Sequence, residues 1–391
     1  VAMADPIRRG VGDAIRAFHQ AGIDTVMITG DQPLTASAIG KELALSRNGP
    51  VKVYEGNHFE DFEEIGASDL SQQAQVFARV SPAHKLQIVQ ALQRAGRVVA
   101  MTGDGINDSP ALKAADIGIA MGSTGTDAAR DVADVVLEND DLQTMLVAIG
   151  EGRSIYSNIQ KSLHFLLATN FSEIIVMFLA LTAGLGHPLN AMQLLWINLI
   201  SDILPGLALA LEPPEPDIMR AQPRDPNVPV LKNSDLGHIV GESAALSGGA
   251  LAVYGYGLAQ YGTGAQASTL AFTSLTAGQL LHAVSCRSTN HSVFERGMLP
   301  ANNYLTAALG LSYGLQALTL MVPGLRGLLG LTPLSAADAI VVGAGAVLPF
   351  LGNEGIKLLS SKPNSPRQLP RILPQRETAD AIEPALNLRK P

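Results

Sequence analysis

Two carboxylates four positions apart carry the clearest chemistry in this sequence. They lie in the run Thr102-Gly103-Asp104-Gly105-Ile106-Asn107-Asp108-Ser109-Pro110. The preceding Arg97-Val98-Val99-Ala100-Met101 is apolar and short enough to be a fully buried parallel strand. Glycines on both sides of Asp104 let the backbone turn sharply and leave its carboxylate exposed at the strand's carboxyl end. Asp108 falls in a loop that Pro110 closes as the next helix begins. With the amide of Asn107 between them, two carboxylates this close repel one another, and a divalent cation such as Mg²⁺ relieves the repulsion.

The elements around this run must position it. Strand-like runs at 25–28, 51–54, 76–78, 98–101, 117–121 and 135–137 alternate with helical runs at about 33–45 and 82–95. Such alternation implies an α/β Rossmann-like domain, a parallel sheet covered on both faces, with ligands bound at the carboxyl ends of the strands. Two more loops there are polar. Thr29-Gly30-Asp31 follows the first strand, and Thr29 reads either as a hydroxyl donor to a phosphoryl oxygen or as a helix N-cap. Lys85 opens a helix, where the dipole disfavours a cation unless an anion is near, and it reads either as that anion's partner or as a solvating lysine.

The run around Asp104 resembles the hinge signature of the P-type cation-pumping ATPases, whose phosphorylation domain has the haloacid-dehalogenase fold. Ile106 and Ser109 stand where that family often has Val and Ala. The resemblance implies that Asp104 holds Mg²⁺ and that Asn107 and Asp108 support the metal and phosphoryl geometry. It also implies that Thr29, in its Thr29-Gly30-Asp31 loop, binds phosphate. Lys85, in a Ser-Pro-x-x-Lys pattern, would neutralise charge on the transferred phosphoryl. Asp5-Pro6-Ile7-Arg8 resembles the family's D-P-x-R segment, which places Asp5 and Arg8 near the hinge to a nucleotide-binding domain, and Gly125-Thr126-Asp127 resembles its G-T-x-x-A segment. The family's nucleophile sits in a D-K-T-G-T motif that occurs nowhere in these 391 residues. The nucleotide domain, the actuator domain and the first four membrane helices have no counterpart either. The implied cofactors are Mg²⁺ and ATP, the latter bound mainly by domains absent here, and an N-terminal half is an implied partner. The chain alone is expected to be inactive. The alternatives are a non-catalytic remnant or split-pump subunit, or a membrane-tethered phosphatase of the same fold. That phosphatase needs an early D-x-D motif, and none precedes Thr29.

Composition points to a membrane. Hydrophobic residues make up 47% and charged residues 16%, apolar for a soluble protein. The single cysteine, Cys286, excludes a disulfide framework and a cysteine-built metal site within one chain. No signal peptide and no nucleic-acid partner are expected; the charge is uneven along the chain, so the net charge of −8 itself says little about partners. A proline-free stretch at 142–184 would form a helix of roughly 60 Å, enough to leave a cytosolic domain and cross a bilayer. Further apolar segments at about 189–211, 237–259, 268–286, 303–322 and 335–356 complete an expected all-α bundle of six transmembrane helices. The expected domains are therefore a partial phosphorylation domain at 1–140, a stalk and membrane bundle at 141–360, and a proline-rich disordered tail at 361–391. Basic residues cluster in loops 212–234 and 287–301 and in the tail, so both termini should be cytoplasmic. The setting would be the cell membrane if the source is bacterial.

Ionisable groups inside spans are costly and functional by default. Glu173 and Asp202 are the acids nearest the middle of any span. Asn170 shares a helix face with Glu173. Asn198 and Ser201 share one with Asp202, and Pro205-Gly206 should unwind that helix and free carbonyls. Gln279 reads equally as a ligand or as a hydrogen bond between helices. These oxygens suit a hard cation of the Ca²⁺, Mn²⁺, Na⁺ or K⁺ class. The runs 170–173 and 196–202 resemble the ion-site helices of type II pumps, notably calcium pumps, with Ser201 in place of a threonine and Gln279 in place of a glutamate.

Overall fold

Val76-Phe77-Ala78 is wholly buried and has a parallel neighbour on each side, as a run of three apolar residues predicts for a central strand. The computed structural model describes residues 7–56, 74–289, 291–295, 299–360 and 386–388. Its described residues form two compact units.

In the first unit, α1 (Val11–Gln20), β1 (Met27–Ile28), α2 (Pro33–Glu42), β2 (Val53–Glu55) and β3 (Val76–Ala78) are followed by α3 (Pro82–Arg94), β4 (Ala100–Gly103) and α4 (Ser109–Ala114). Then come β5 (Ile117–Met121), α5 (Asp127–Val132), β6 (Val135–Leu137) and, from the far end of the chain, β7 (Leu386–Leu388). The expected single sheet is in fact two small ones, a parallel β1-β3-β2 sheet and a β4-β5-β6-β7 sheet whose last pair is antiparallel. Their cores are linked through Ile28, which packs on both hydrophobic clusters, and through α3, which gives Val89 to one and Ile88 to the other. Strand β4 is not the fully buried strand expected. Among the described residues it pairs only with β5, and Met101 is buried while Ala100 and Thr102 are exposed. Helix α3 starts where the sequence says it must, with Pro82 in its first turn and the Ser81 hydroxyl accepting from His84 N at 3.3 Å.

The second unit is helical. Helix α6 (Leu142–Thr182) runs 41 residues without a break and belongs to this unit from Glu151 onward. It is followed by α7 (Ala191–Ile197), a π turn at Asn198–Asp202, α8 (Ile203–Ala210), α9 (Asn233–Tyr261), α10 (Ala265–Ser285), α11 (Asn303–Met321), α12 (Pro323–Leu329) and α13 (Ala336–Ser360). Four of these segments are long and apolar enough to cross a membrane: α6, the 191–210 segment, α9 and α13. A fifth would be the α11–α12 pair, bent by 91° at Pro323.

Helix α10 is the most enclosed, with both faces buried. It can afford hydroxyls because they bond back along the helix, Thr269 to Ala265 O (2.7 Å), Thr273 to Thr269 O (2.8 Å) and Thr276 to Phe272 O (2.7 Å). That polarity lowers its apolar signal. Helices α9 and α13 approach closely at paired glycines; a Cβ on Gly249 would lie 2.3 Å from Gly345 O. The tail expected to be disordered lies outside the described residues apart from β7.

Candidate functional site

The site residues expected from the sequence fall into two groups, one in each unit.

In the first unit, β4 ends at Gly103 and the chain turns through Asp104 and Gly105 into a single 3₁₀ turn at Ile106–Asp108, from which α4 departs with Pro110 in its first turn. Asp104 and Asn107 are exposed, whereas Asp108 is 6% exposed. Asp108 Oδ1 accepts from Lys85 Nζ at 2.5 Å, and its other oxygen accepts from Gly105 N at 3.4 Å. Lys85 stands in the first turn of α3, so the anion that its position calls for is Asp108. The repulsion between the two carboxylates is thus relieved at Asp108 by a lysine, and Asp104 is left facing solvent. Gly103 is required here: a Cβ would lie 2.6 Å from Asp108 Cβ. The Asp104 loop is pinned from a third side, since Thr126 N donates to Asp104 O at 2.8 Å while Thr126 caps α5.

Thr29 follows β1. Its hydroxyl accepts from Asp31 N at 3.1 Å, a local turn, and the residue capping α2 is Gln32, so the N-cap alternative for Thr29 does not hold. Gly30 and Asp31 are exposed in that turn, and Thr29 O and Asp31 O accept from Val80 N and Arg79 N, which ties the loop to the segment leading into Lys85. Arg8 is exposed ahead of α1; Asp5 lies outside the described residues.

In the second unit, the acids expected inside the spans face one another. Asn170 Nδ2 on α6 donates to Asp202 Oδ2 at 3.0 Å. Asn198 Nδ2 reaches Glu173 Oε2 at 3.5 Å, and Gln279 Nε2 on α10 donates to Glu173 Oε1 at 3.3 Å. Glu173 (6% exposed), Asp202 (4%), Ser201 and Gln279 (both 0%) are buried, whereas Asn198 is exposed. The helix does not unwind at Pro205-Gly206, which lie within α8. It widens just before them, at the π turn, because Pro205 has no N–H to close the preceding α turn. Among the described residues, three buried oxygens there find no hydrogen-bond partner: Asp202 Oδ1, Ser201 Oγ and Gln279 Oε1. Buried acceptors without donors are costly in a protein, and a cation is the partner such a set satisfies.

Sequence reasoning missed Thr169 and Ser172, whose oxygens accept from Gln279 Nε2 at 3.3 Å each. It also missed the buried ion pair of Glu212 with Arg287 (2.7 Å) that joins the two basic loops. No short-range signal marks either; both arise from helices meeting.

Comparison with known proteins agrees with this layout. Residues 1–116 match the haloacid dehalogenase-like hydrolase family and residues 186–359 match the family described as cation transporting ATPase, C-terminus. Calcium-transporting ATPase 1 of Bacillus cereus is 38% identical over 375 residues, 92% of this chain and 42% of that protein. The calcium-transporting ATPase of Bacillus subtilis is 41% identical over 355 residues, 89% of this chain and 39% of that protein. Calcium-transporting ATPase type 2C member 2 of Mus musculus is 36% identical over 359 residues, 92% and 38% respectively. The chain therefore spans about two fifths of the length of these relatives. A membrane chain that joins a haloacid-dehalogenase-type region to this C-terminal helical region belongs to the P-type cation-transporting ATPases, among their type II, calcium-pump-like members.

Proposed function

We propose that these residues form the cation-holding and phosphoryl-stabilising portion of an ATP-driven calcium pump. The observation that carries the reading is the buried oxygen cluster of Glu173, Asp202, Ser201 and Gln279, in which, among the described residues, three oxygens lack a partner in hydrogen-bond geometry. Carboxylate, hydroxyl and amide oxygens around a widened turn suit Ca²⁺, and Mn²⁺ next. Gln279 offers both roles at once, its amide nitrogen linking helices and its oxygen left for the ion.

In the first unit, exposed Asp104 would hold Mg²⁺. Lys85, fixed by Asp108, would meet the phosphoryl oxygens together with Thr29 and the amides of Gly30 and Asp31. Asn107 would orient the metal's water shell, and Asp5 and Arg8 would lie toward the nucleotide. Mg²⁺ supplies charge neutralisation on a transferred phosphoryl group when bound. No D-K-T-G-T aspartate stands in these residues to receive that group, so phosphorylation requires an N-terminal half.

Six spans, in the cell membrane if the source is bacterial, with both termini cytoplasmic, complete the proposal. Helix α10 is then the sixth span, masked by its own hydroxyls, and the Glu212–Arg287 pair supports placing loops 212–234 and 287–301 on one side.

The test is co-expression with an N-terminal half bearing D-K-T-G-T. A calcium-dependent acyl phosphate should form from labelled ATP and disappear in Asp104→Asn, while residues 1–391 alone form none. A phosphoenzyme formed by the chain alone would defeat the assignment. Failure of the two halves to yield one, with both folded, would favour a remnant.

A further inference from the structure

The second unit holds another convergence of ligand-type side chains, separate from the oxygen cluster. His164 on α6, Glu242 on α9, and His282 and Cys286 at the end of α10 meet at one point. One ligand atom from each of His164, His282 and Cys286 lies within 4.8 Å of the others. Glu242 Oε2 lies 2.5 Å from His164 Nε2 and 3.4 Å from His282 Nε2, and Cys286 Sγ lies 3.3 Å from that same His282 nitrogen. His282 and Cys286 are buried, at 3% and 6% exposure.

We infer that His164, His282, Cys286 and Glu242 form a binding site for one borderline divalent transition metal, with Zn²⁺ the best fit.

Three observations support it. The first is chemical. One cysteine rules out a site built on several thiolates but not one thiolate beside two imidazoles and a carboxylate; these are ligand types of tetrahedral zinc, and they differ in softness from the all-oxygen cluster around Glu173. The second is geometric. Zinc bonds of ~2.0–2.3 Å at tetrahedral angles separate neighbouring ligand atoms by about 3.5 Å. The His282–Cys286 and His282–Glu242 separations already match, the His164–Glu242 contact must open by about 1 Å, and Glu242, which stands outside the mutual 4.8 Å set of the other three, must move toward the sulfur. The third is convergence on one atom. His282 Nε2 lies within reach of both the Glu242 carboxylate and the Cys286 sulfur. A metal bound at that nitrogen would meet both.

The placement gives the site a consequence. His164 precedes Glu173 by nine residues on α6, about 13 Å along the helix axis, and His282 follows Gln279 by three on α10. A metal bound here ties α6, α9 and α10 together beside the oxygen cluster without entering it.

Co²⁺ and Zn²⁺ are the probes, used on the untagged full chain in lipid nanodiscs with a non-chelating reductant. Co²⁺ should bind one per chain, with the visible bands of tetrahedral cobalt and a near-ultraviolet thiolate-to-cobalt charge-transfer band. Zn²⁺ should displace it and excess Ca²⁺ should not. Cys286→Ser should abolish the charge-transfer band while leaving visible bands, and His282→Ala should weaken binding by roughly 100-fold or more, beyond what loss of an outer-shell partner costs. Zinc X-ray absorption on the unmutated chain needs no variant to fold; it should show one sulfur at about 2.3 Å. A wild-type chain with no charge-transfer band, a zinc spectrum without sulfur, or a band that persists in Cys286→Ser would overturn the site.

Discussion

Breaking the Lys85–Asp108 pair should loosen the phosphoryl-side cluster by a predictable amount. The two atoms are 2.5 Å apart, and the side chains are 20% and 9% exposed. Exposed pairs contribute about 0.2–1 kcal/mol, whereas removing one partner of a buried pair costs about 3–5 kcal/mol. With one partner near the buried limit and the other partly wet, Lys85→Met should cost about 2 kcal/mol, near the geometric middle of those ranges. Asp108→Ala should cost more, because it also strands Gly105 N and leaves Lys85 without its anion. A difference of about 2 kcal/mol changes local opening roughly 30-fold, which hydrogen exchange resolves in peptides covering 82–94 and 105–114. The double variant should be less damaging than the sum, with a coupling of about 1–2 kcal/mol. Strict additivity, or single-variant changes under about threefold, would refute the idea that this pair organises the loop.

Three further outcomes follow from the same geometry. Gly103→Ala should displace Asp108 from Lys85 and cost about 1–3 kcal/mol, read as faster exchange of the same peptides. In the loop outside the spans, burial alone would lower the pKa of His291, but its hydrogen bonds to Glu295 and Asp217 raise it, with Glu215 adding to the effect. Because the folded value is raised, this contact stabilises fully below the unfolded pKa of about 6.5 and is lost as pH rises through the folded value. Intrinsically corrected exchange of 287–295 should therefore quicken as pH rises above about 6.5, and His291→Ala should flatten the difference. A cysteine at Asp225 should be labelled by an impermeant reagent from the cytoplasmic side only, and one at His187 from the opposite side only.

Local order was largely legible. Strands at 76–78, 117–121 and 135–137 lie where short apolar runs between turn residues place them. The same applies to the start of α3 at Ser81-Pro82 and to the unbroken α6. What the residue pattern did not reveal is what distant segments do to one another. Nothing near Lys85 says that Asp108 will pair with it, 23 residues on. Proline marks a break, so the sequence points to unwinding at Pro205-Gly206, yet the missing N–H acts on the turn before it, which widens into a π turn. Glu242 sits in an apolar segment, where its two histidines are 78 residues earlier and 40 later, so only packing reveals them. The acids Glu173 and Asp202 were legible because a charge in an apolar span is rare enough to stand out by itself.

The central claim is that the second unit holds a hard cation between α6, the π turn and α10. Equilibrium binding of radioactive calcium to the full chain in nanodiscs tests it most directly, since these ligands need no phosphorylation to be present. The account predicts saturable binding that Mn²⁺ competes for. Glu173→Gln or Asp202→Asn should weaken it by more than about tenfold, roughly the effect of 1.4 kcal/mol, while Asp104→Asn leaves it unchanged. Calcium binding that survives both Glu173→Gln and Asp202→Asn would contradict the account.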